Sequence, residues 1–316
     1  MSRPVALVLR ALGLGDFFTG LPALAMLRGA LPEHRLVLAV PRPFWPLVSL
    51  SGLVDDAVRG HELEPLVDPP RRPELAVDLH GNGPASHRLL AATEPVRTVA
   101  FAGGTIEWRP DEHEVHRWCR LVAEGLPVPD ARYPGVAGAL SALPDAAVPH
   151  GVTVVHCGAK AESRRWPATR FAAVAAQLRE RGHDVVVVGG AAEQGVAERI
   201  AAAANVRAVT TLSLLELVAL VGRARLVVSG DTGPAHVASN YRTPSVVLFG
   251  PVSPKVWGPP PDPRHQVVWH GDGTGDPHGS RPDPALLEAT VDEVVAAAAR
   301  ALVAADARRE VSPSPG

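Results

Sequence analysis

Along the first hundred of the 316 residues, short runs of aliphatic and β-branched residues alternate with longer segments whose apolar positions recur at helical spacing. The runs at 5–10, 36–40, 75–79 and 96–101 have the length and composition of strands, and segments 17–30 and 84–92 carry a helical period between them. The alternation restarts near residue 152, with strands predicted over 152–156, 184–188, 226–229 and 245–249 and helices over 169–181, 192–203 and 214–223. Strands separated by helices must cross over before they pair, which makes them parallel. The pattern therefore predicts an α/β protein of two Rossmann-like, doubly wound parallel sheets. Between the two series, 133–150 is rich in Pro, Ala and Gly and keeps no period, so the boundary is placed between an N-terminal domain, 1–148, and a C-terminal domain, 149–283. Residues 258–283 are crowded with Pro, Gly and Asp and are expected to be irregular. A helix is predicted over 284–305, followed by a disordered tail over 306–316 that ends VSPSPG.

Composition narrows the reading. The chain is 46% hydrophobic with only 4% aromatic residues, which suits Ala-rich helices layered on Val- and Leu-rich strands. A formal net charge of -2, with Lys and Arg scattered, provides no basic stripe to neutralise a phosphate backbone, so nucleic acid is not an expected partner. The two cysteines, Cys119 and Cys157, lack CxxC spacing and suggest neither a disulfide framework nor a zinc site; a reducing, cytoplasmic setting is expected. The apolar start meets Asp16 early and reads as a first strand rather than a signal peptide. No run approaches the roughly 18 apolar residues of a membrane span, so any membrane contact is expected to be peripheral. No residue pattern speaks to oligomeric state.

In open α/β sheets, ligands bind at the carboxyl ends of the strands. Four segments there carry candidate chemistry. In LRALGLGDFFTGLPAL, Gly13 and Gly15 allow close backbone approach, and Asp16 is either a general base at a helix N-terminus or a capping residue. The GxG start invites comparison with a dinucleotide fingerprint. However, the third glycine falls at the wrong spacing, and the second strand ends in Val40-Pro41 rather than an acidic ribose ligand. HCGAKAESRRWPATRF gathers Lys160, Arg164 and Arg165 before a helix, as a diphosphate site or as a solvated basic turn, with Trp166 a packing anchor. VVVVGGAAEQ ends a buried strand in Gly189 and Gly190, with Glu193 placed to accept ribose hydroxyls or to favour a helix N-terminus.

LVVSGDTGPAHVASNYRTPSVVLFGP is the most informative segment, because a buried strand that ends so polar needs a cause. Gly233 and Pro234 open a helix whose amides can hold phosphate oxygens. Thr232 offers a hydroxyl, Asp231 can fix the loop or a ribose, and His236 sits on the first helical turn within reach of a phosphate. The DTG triplet is not that of an aspartic protease, which pairs two such carboxylates across β domains.

Together these segments resemble glycosyltransferase family 9, the ADP-heptose:lipopolysaccharide heptosyltransferase family, in motif order through nearly the whole chain. LRALGLGDFFTGLPALAMLR is similar to the family's acceptor-side motif, GAKAESRRWP to its diphosphate motif, VVVVGGAAE to its ribose-side motif, and SGDTGPAHVAS with PSVVLFGP to its donor signature. The resemblance implies a GT-B fold of two domains facing across a cleft, with a last helix returning to the first domain. It also implies an inverting transfer from a nucleotide sugar, an ADP-linked heptose or a relative, with Asp16 as base. Lys160, Arg164, Glu193, Asp231, Thr232, Gly233, Pro234 and His236 would hold the donor, with no metal and no other cofactor. DLHGNGPASHRL resembles the family's DxQGxxKS element, and with Arg10 and Gly15 it supplies acceptor-side candidates in His80, Asn82, His87 and Arg88. Glu112, His113 and His116 are further ones, on a helix expected to start near Asp111. Pro84 stands in the place of that element's lysine, and the Ala, Arg, Pro and Gly bias is that of a GC-rich genome. Both turn the expected acceptor from an anionic lipopolysaccharide core toward another glycan or a secondary metabolite. A sugar-nucleotide epimerase and a non-catalytic nucleotide-sugar binding module are the alternatives.

Overall fold

The computed structural model describes residues 3–101, 106–127 and 137–311. The chain divides into two compact units, Met1–Ala142 and Leu143–Gly316. In the first, β1 (Val5–Leu9), β2 (Arg35–Val40), β3 (Asp56–Arg59), β4 (Leu75–Asp78) and β5 (Arg97–Val99) form one sheet in the order β3-β2-β1-β4-β5. Every pairing in it is parallel. The crossovers are α1 (Leu14–Ala30), α2 (Trp45–Ser51) and α3 (Ala85–Ala91), and α4 (Glu114–Gly125) comes after β5. Strand β1 is apolar at every position, and Ala6 through Leu9 are fully buried, as a strand covered on both faces requires.

The second unit holds β6 (Thr153–His156), α5 (Ala168–Glu180), β7 (Val185–Val188), α6 (Gln194–Ala204), β8 (Arg207–Val209), α7 (Leu214–Gly222) and β9 (Leu226–Gly230). It continues with α8 (Gly233–Tyr241), β10 (Ser245–Leu248), α9 (Pro254–Trp257), β11 (His265–Val268), α10 (Pro284–Glu288) and α11 (Val291–Val311). Its six strands run β11-β10-β9-β6-β7-β8, again all parallel. Each sheet reverses its winding once, between β1 and β4 in the first and between β6 and β9 in the second. These are the switch points where doubly wound sheets open a crevice.

The structure corrects the sequence reading in four places. Strands β3, β8 and β11 were not expected; all are short strands at sheet edges, where half-exposed polar residues dilute the apolar signal. The division between units falls at 142/143 rather than 148/149, because Arg223 donates to the carbonyls of Ala146 at 2.6 Å and Pro144 at 3.2 Å and ties that stretch to the second unit. Residues 133–136 of the expected connection lie outside the described residues. The single helix expected over 284–305 is two: Thr290 and Glu293 exchange capping bonds, Thr290 N–H to Glu293 Oε2 at 2.8 Å and Glu293 N–H to Thr290 Oγ1 at 3.2 Å, and so start α11 afresh. Finally, α11 runs to Val311 instead of stopping at 305, since ADARREV contains no Gly or Pro to end it; residues 312–316 lie outside the described residues. Helix α11 packs on α5 and across β9, β10 and β11. It buries Val294, Val295, Ala297, Ala298 and Ala301 in the core of the second unit.

Strand β11 brings a testable titration. His265 is buried with its Nδ1 2.8 Å from Ser245 Oγ on β10, and burial pushes its pKa from 6.5 down to about 4. Unfolding releases it to its ordinary value, so the unfolded chain binds the extra proton between the two. Its contribution is full above about pH 6.5 and is lost as pH falls toward 4. That amounts to on the order of 3 kcal/mol across the window. Urea midpoints of the second unit should fall over this range in the wild type, and more shallowly in His265→Asn.

Candidate functional site

In the first unit, the residue after β1 is Arg10, whose side chain is only 2% exposed. A buried guanidinium needs partners for its donors, and each nitrogen of this one has at least one. Its Nε donates to the Asp16 carbonyl at 2.7 Å and Nη1 to the Leu79 carbonyl at 2.5 Å. Nη2 reaches Thr19 Oγ1 at 3.0 Å, Glu114 Oε1 at 3.2 Å and Asp16 Oδ1 at 3.4 Å. The group stacks over Trp118, 4.8 Å from the ring centroid. Behind it, Glu114 Oε1 also accepts from Trp118 Nε1 at 2.6 Å, and its Oε2 pairs with buried Arg117. Arg117 in turn donates to the carbonyls of Arg109, Pro110 and Glu112.

Asp16 lies in the first turn of α1 with its side chain 25% exposed. Its Oδ2 accepts from Gly13 N–H at 3.1 Å, so the capping role is present. Capping and catalysis do not exclude each other here, because Oδ1 is left toward Arg10 and solvent. Gly15 is in the same turn and half-buried.

Across the switch point, β4 ends in Asp78, a fully buried carboxylate. Its Oδ1 accepts from His80 N–H at 2.9 Å, while Oδ2 lacks a hydrogen bond and sits 3.4 Å from His87 Nε2. His80 Nδ1 accepts from Ala11 N–H at 3.2 Å, which bridges the loops after β4 and β1. Burial holds the His80 imidazole below its ordinary value, with Asp78 and Glu62 opposing the shift and Arg10 adding to it. The structure thus joins Arg10 with Asp16, brings His80 to the same loop, and sets His87 on Asp78; Asn82 and Arg88 are exposed. Glu112 is spent on Arg120, accepting at 2.8 and 2.9 Å, and His113 caps α4 by accepting from Val115 N–H at 3.3 Å.

In the second unit, the loop after β6 carries Lys160, exposed, and Arg164, half-buried. Arg164 Nη1 reaches the Asp231 carbonyl at 3.4 Å, and its buried Nε lacks a protein partner. Asp231 and His236 are both buried, with Oδ1 and Nε2 3.6 Å apart, too long for a direct hydrogen bond. The His236 ring meets Trp257 edge-on at 5.8 Å. Thr232, at the N-cap of α8, does not cap with its side chain; it donates to the Gly230 carbonyl at 3.3 Å. Gly233 and Pro234 then open the helix. Glu193 Oε2 accepts from Gly190 N–H at 3.1 Å. Trp166 is buried, donates to the Ala289 carbonyl at 3.2 Å and packs edge-on against Phe171, an anchor as expected. Arg165 folds back on its own loop, donating to the Ala159 carbonyl at 3.0 Å and pairing with Glu162.

Three residues of these sites escaped the sequence reading: Asp78 and His156 at strand ends, and Glu114 at the start of α4. Asp78 and His156 are polar ends of buried strands, the signal that singled out Asp231. Glu114 gave no signal, since its partner Arg10 is 104 residues away. Among the described residues, no group of three or more His, Cys, Asp or Glu side chains is arranged to hold a metal ion, and no helix is long and apolar enough to cross a membrane.

Solved structures share this architecture. The Escherichia coli ADP-heptose lipopolysaccharide heptosyltransferase II superposes with a TM-score of 0.75 at 21% identity, covering 95% of this chain and 99% of its own. A glycosyl transferase family 9 protein from Veillonella parvula gives 0.75 at 19%, covering 96% and 98%. The fold is thus GT-B, two parallel-sheet α/β units. The family description "Glycosyltransferase family 9 (heptosyltransferase)" matches residues 98–284, and the chain belongs to that family. In sequence it is 31% identical over 113 residues to lipopolysaccharide heptosyltransferase 2 of E. coli K12, covering 34% of this chain and 32% of that protein. It is 31% identical over 157 residues to lipopolysaccharide heptosyltransferase 1 of Pseudomonas aeruginosa, covering 46% and 42%. These alignments span 32% and 42% of the relatives' own length.

Proposed function

We propose that this protein is an inverting, metal-independent glycosyltransferase of the cytoplasm. It takes a sugar, a heptose or a close relative, from an ADP-linked donor to a glycan or small-molecule acceptor. The observation that carries the reading is the convergence of Arg164, Asp231 and Thr232 at the β6/β9 switch point, with the N-terminus of α8 beside them. Helix amides and an underused guanidinium suit a diphosphate. The GT-B neighbours, one of them described as an ADP-heptose enzyme, support the choice of nucleotide.

In this reading the acceptor hydroxyl attacks the anomeric carbon from the face opposite the leaving group. Asp16 takes the hydroxyl proton, the bond from the anomeric carbon to the phosphate oxygen breaks, and the electron pair leaves with ADP. Arg164, Lys160 and the amides of α8 stabilise the charge that gathers on the departing diphosphate, the role a metal plays in other transferases. Asp231, Gly233, Pro234 and His236 shape that cradle, and Glu193 accepts from the ribose. On the acceptor side stand Arg10, Gly15, His80, Asn82, His87 and Arg88. Any membrane contact is peripheral.

Calorimetry without divalent metal, with ADP, UDP, GDP and NAD as probes, tests the donor. ADP binding that is lost in Asp231→Ala is expected; NAD binding in its place would overturn the reading.

A further inference from the structure

His156, the last residue of β6, meets the donor loop in a way that fixes its hydrogens. Thr232 has one hydroxyl proton, and it goes to the Gly230 carbonyl at 3.3 Å. The contact between Thr232 Oγ1 and His156 Nδ1, at 3.4 Å, then needs its proton from the ring. The assignment consistent with both contacts puts the ring proton on Nδ1 and leaves a lone pair on Nε2. Burial pushes the ring's pKa down to about 4, so the neutral form holds at physiological pH.

Next to it stands a second acceptor. A Cβ on Gly158 would lie 3.1 Å from His156 Cε1 and 3.2 Å from Glu193 Cδ, so the two side chains close over the same glycine from β6 and from the turn after β7. Glu193 Oε2 takes the Gly190 N–H, which leaves Oε1 for a ligand. Two neighbouring acceptors of this kind have nothing to offer a phosphate, which carries only acceptors. They complement a group that brings two adjacent donors.

We propose that His156 is a further donor-binding residue, and that its Nε2 and Glu193 together receive the cis-diol of the ribose in a nucleoside diphosphate. A side chain at 158 would press on both acceptors, so glycine keeps the space they share open. The inference rests on the reading of the second unit as the nucleotide site and adds to it which part of the ligand this pair recognises.

The test measures ADP, 2′-deoxy-ADP and 3′-deoxy-ADP binding to the full-length protein by calorimetry, in the wild type, His156→Phe and His156→Asn. The wild type should bind ADP about tenfold more tightly than at least one deoxy analogue, the span of one or two hydrogen bonds. His156→Phe should weaken ADP by about tenfold and bind that same analogue as well as it binds ADP, while His156→Asn, which keeps an acceptor, should recover part of the preference. ADP binding in the wild type without preference over either analogue, or a preference unchanged in His156→Phe, overturns the inference and leaves the nucleotide site standing. If the phenylalanine variant does not fold, His156→Asn decides the matter, and a preference there as large as that of the wild type overturns the inference. No ADP binding at all removes the nucleotide site and the inference together.

Discussion

Conversion of Asp16 to alanine is expected to lower sugar transfer by about 10²–10⁴-fold, the range that a positioned general base supplies, while ADP binds as it does to the wild type. The expectation comes from where the carboxylate sits. Arg10 takes the Asp16 carbonyl and touches Oδ1, Gly13 takes Oδ2, and the side chain still keeps a quarter of its surface open. It is held, yet reachable. Because Oδ2 also caps α1, the alanine variant loses on the order of 1 kcal/mol of helix stability as well. Asp16→Asn separates the two roles, since its side-chain oxygen can still cap but takes no proton at neutral pH. Transfer rates and ADP calorimetry on both variants give the answer: equal loss of rate with ADP affinity intact marks a base, and equal loss of both marks a residue that merely shapes the loop.

The second large effect is structural. Arg10→Met should destabilise the first unit by about 3–5 kcal/mol, because it removes one of the two buried cations that Glu114 pairs with and takes the donor away from the Asp16 and Leu79 carbonyls. The side chains of Arg10 and Glu114 are 2% and 5% exposed, so water does not replace the lost contact. In the double variant Arg10→Met with Glu114→Gln, Arg117 keeps only its carbonyl partners, but the loss should be smaller than the sum of the two single variants, read as urea midpoints. A sum of single effects in the double variant would show that the pair is not coupled.

Much of this organisation is legible in the chain because the central strands are buried on both faces. VALVL, LAVD, VVVV and LVVSG announce themselves as apolar runs, and the functional loop comes directly after each of them. Asp16, Arg164 and Asp231 could therefore be found by asking what a buried strand delivers at its carboxyl end. The edges were not legible in the same way. DAVR, RAV and HQVV pair on one side only, so polar residues are tolerated and the period disappears. Long-range partnerships were hidden altogether. Nothing near Glu114 in sequence says that Arg10 needs it, and nothing near His156 says that its Nδ1 meets Thr232, 76 residues on. The break between α10 and α11 does have a local signal in Thr290 and Glu293, a capping pair inside what periodicity alone makes one helix.

The central claim is that a sugar moves from an ADP-linked donor to an acceptor with inversion. The most direct measurement is proton NMR of ADP-heptose incubated with the protein, with and without a bacterial envelope glycan fraction as acceptor and without divalent metal. The account predicts that ADP appears only when the acceptor is present, in step with a new glycosidic signal of anomeric configuration opposite to the donor's. A donor that changes configuration within its own sugar ring in the absence of acceptor, or a product that keeps the donor's anomeric configuration, would contradict it.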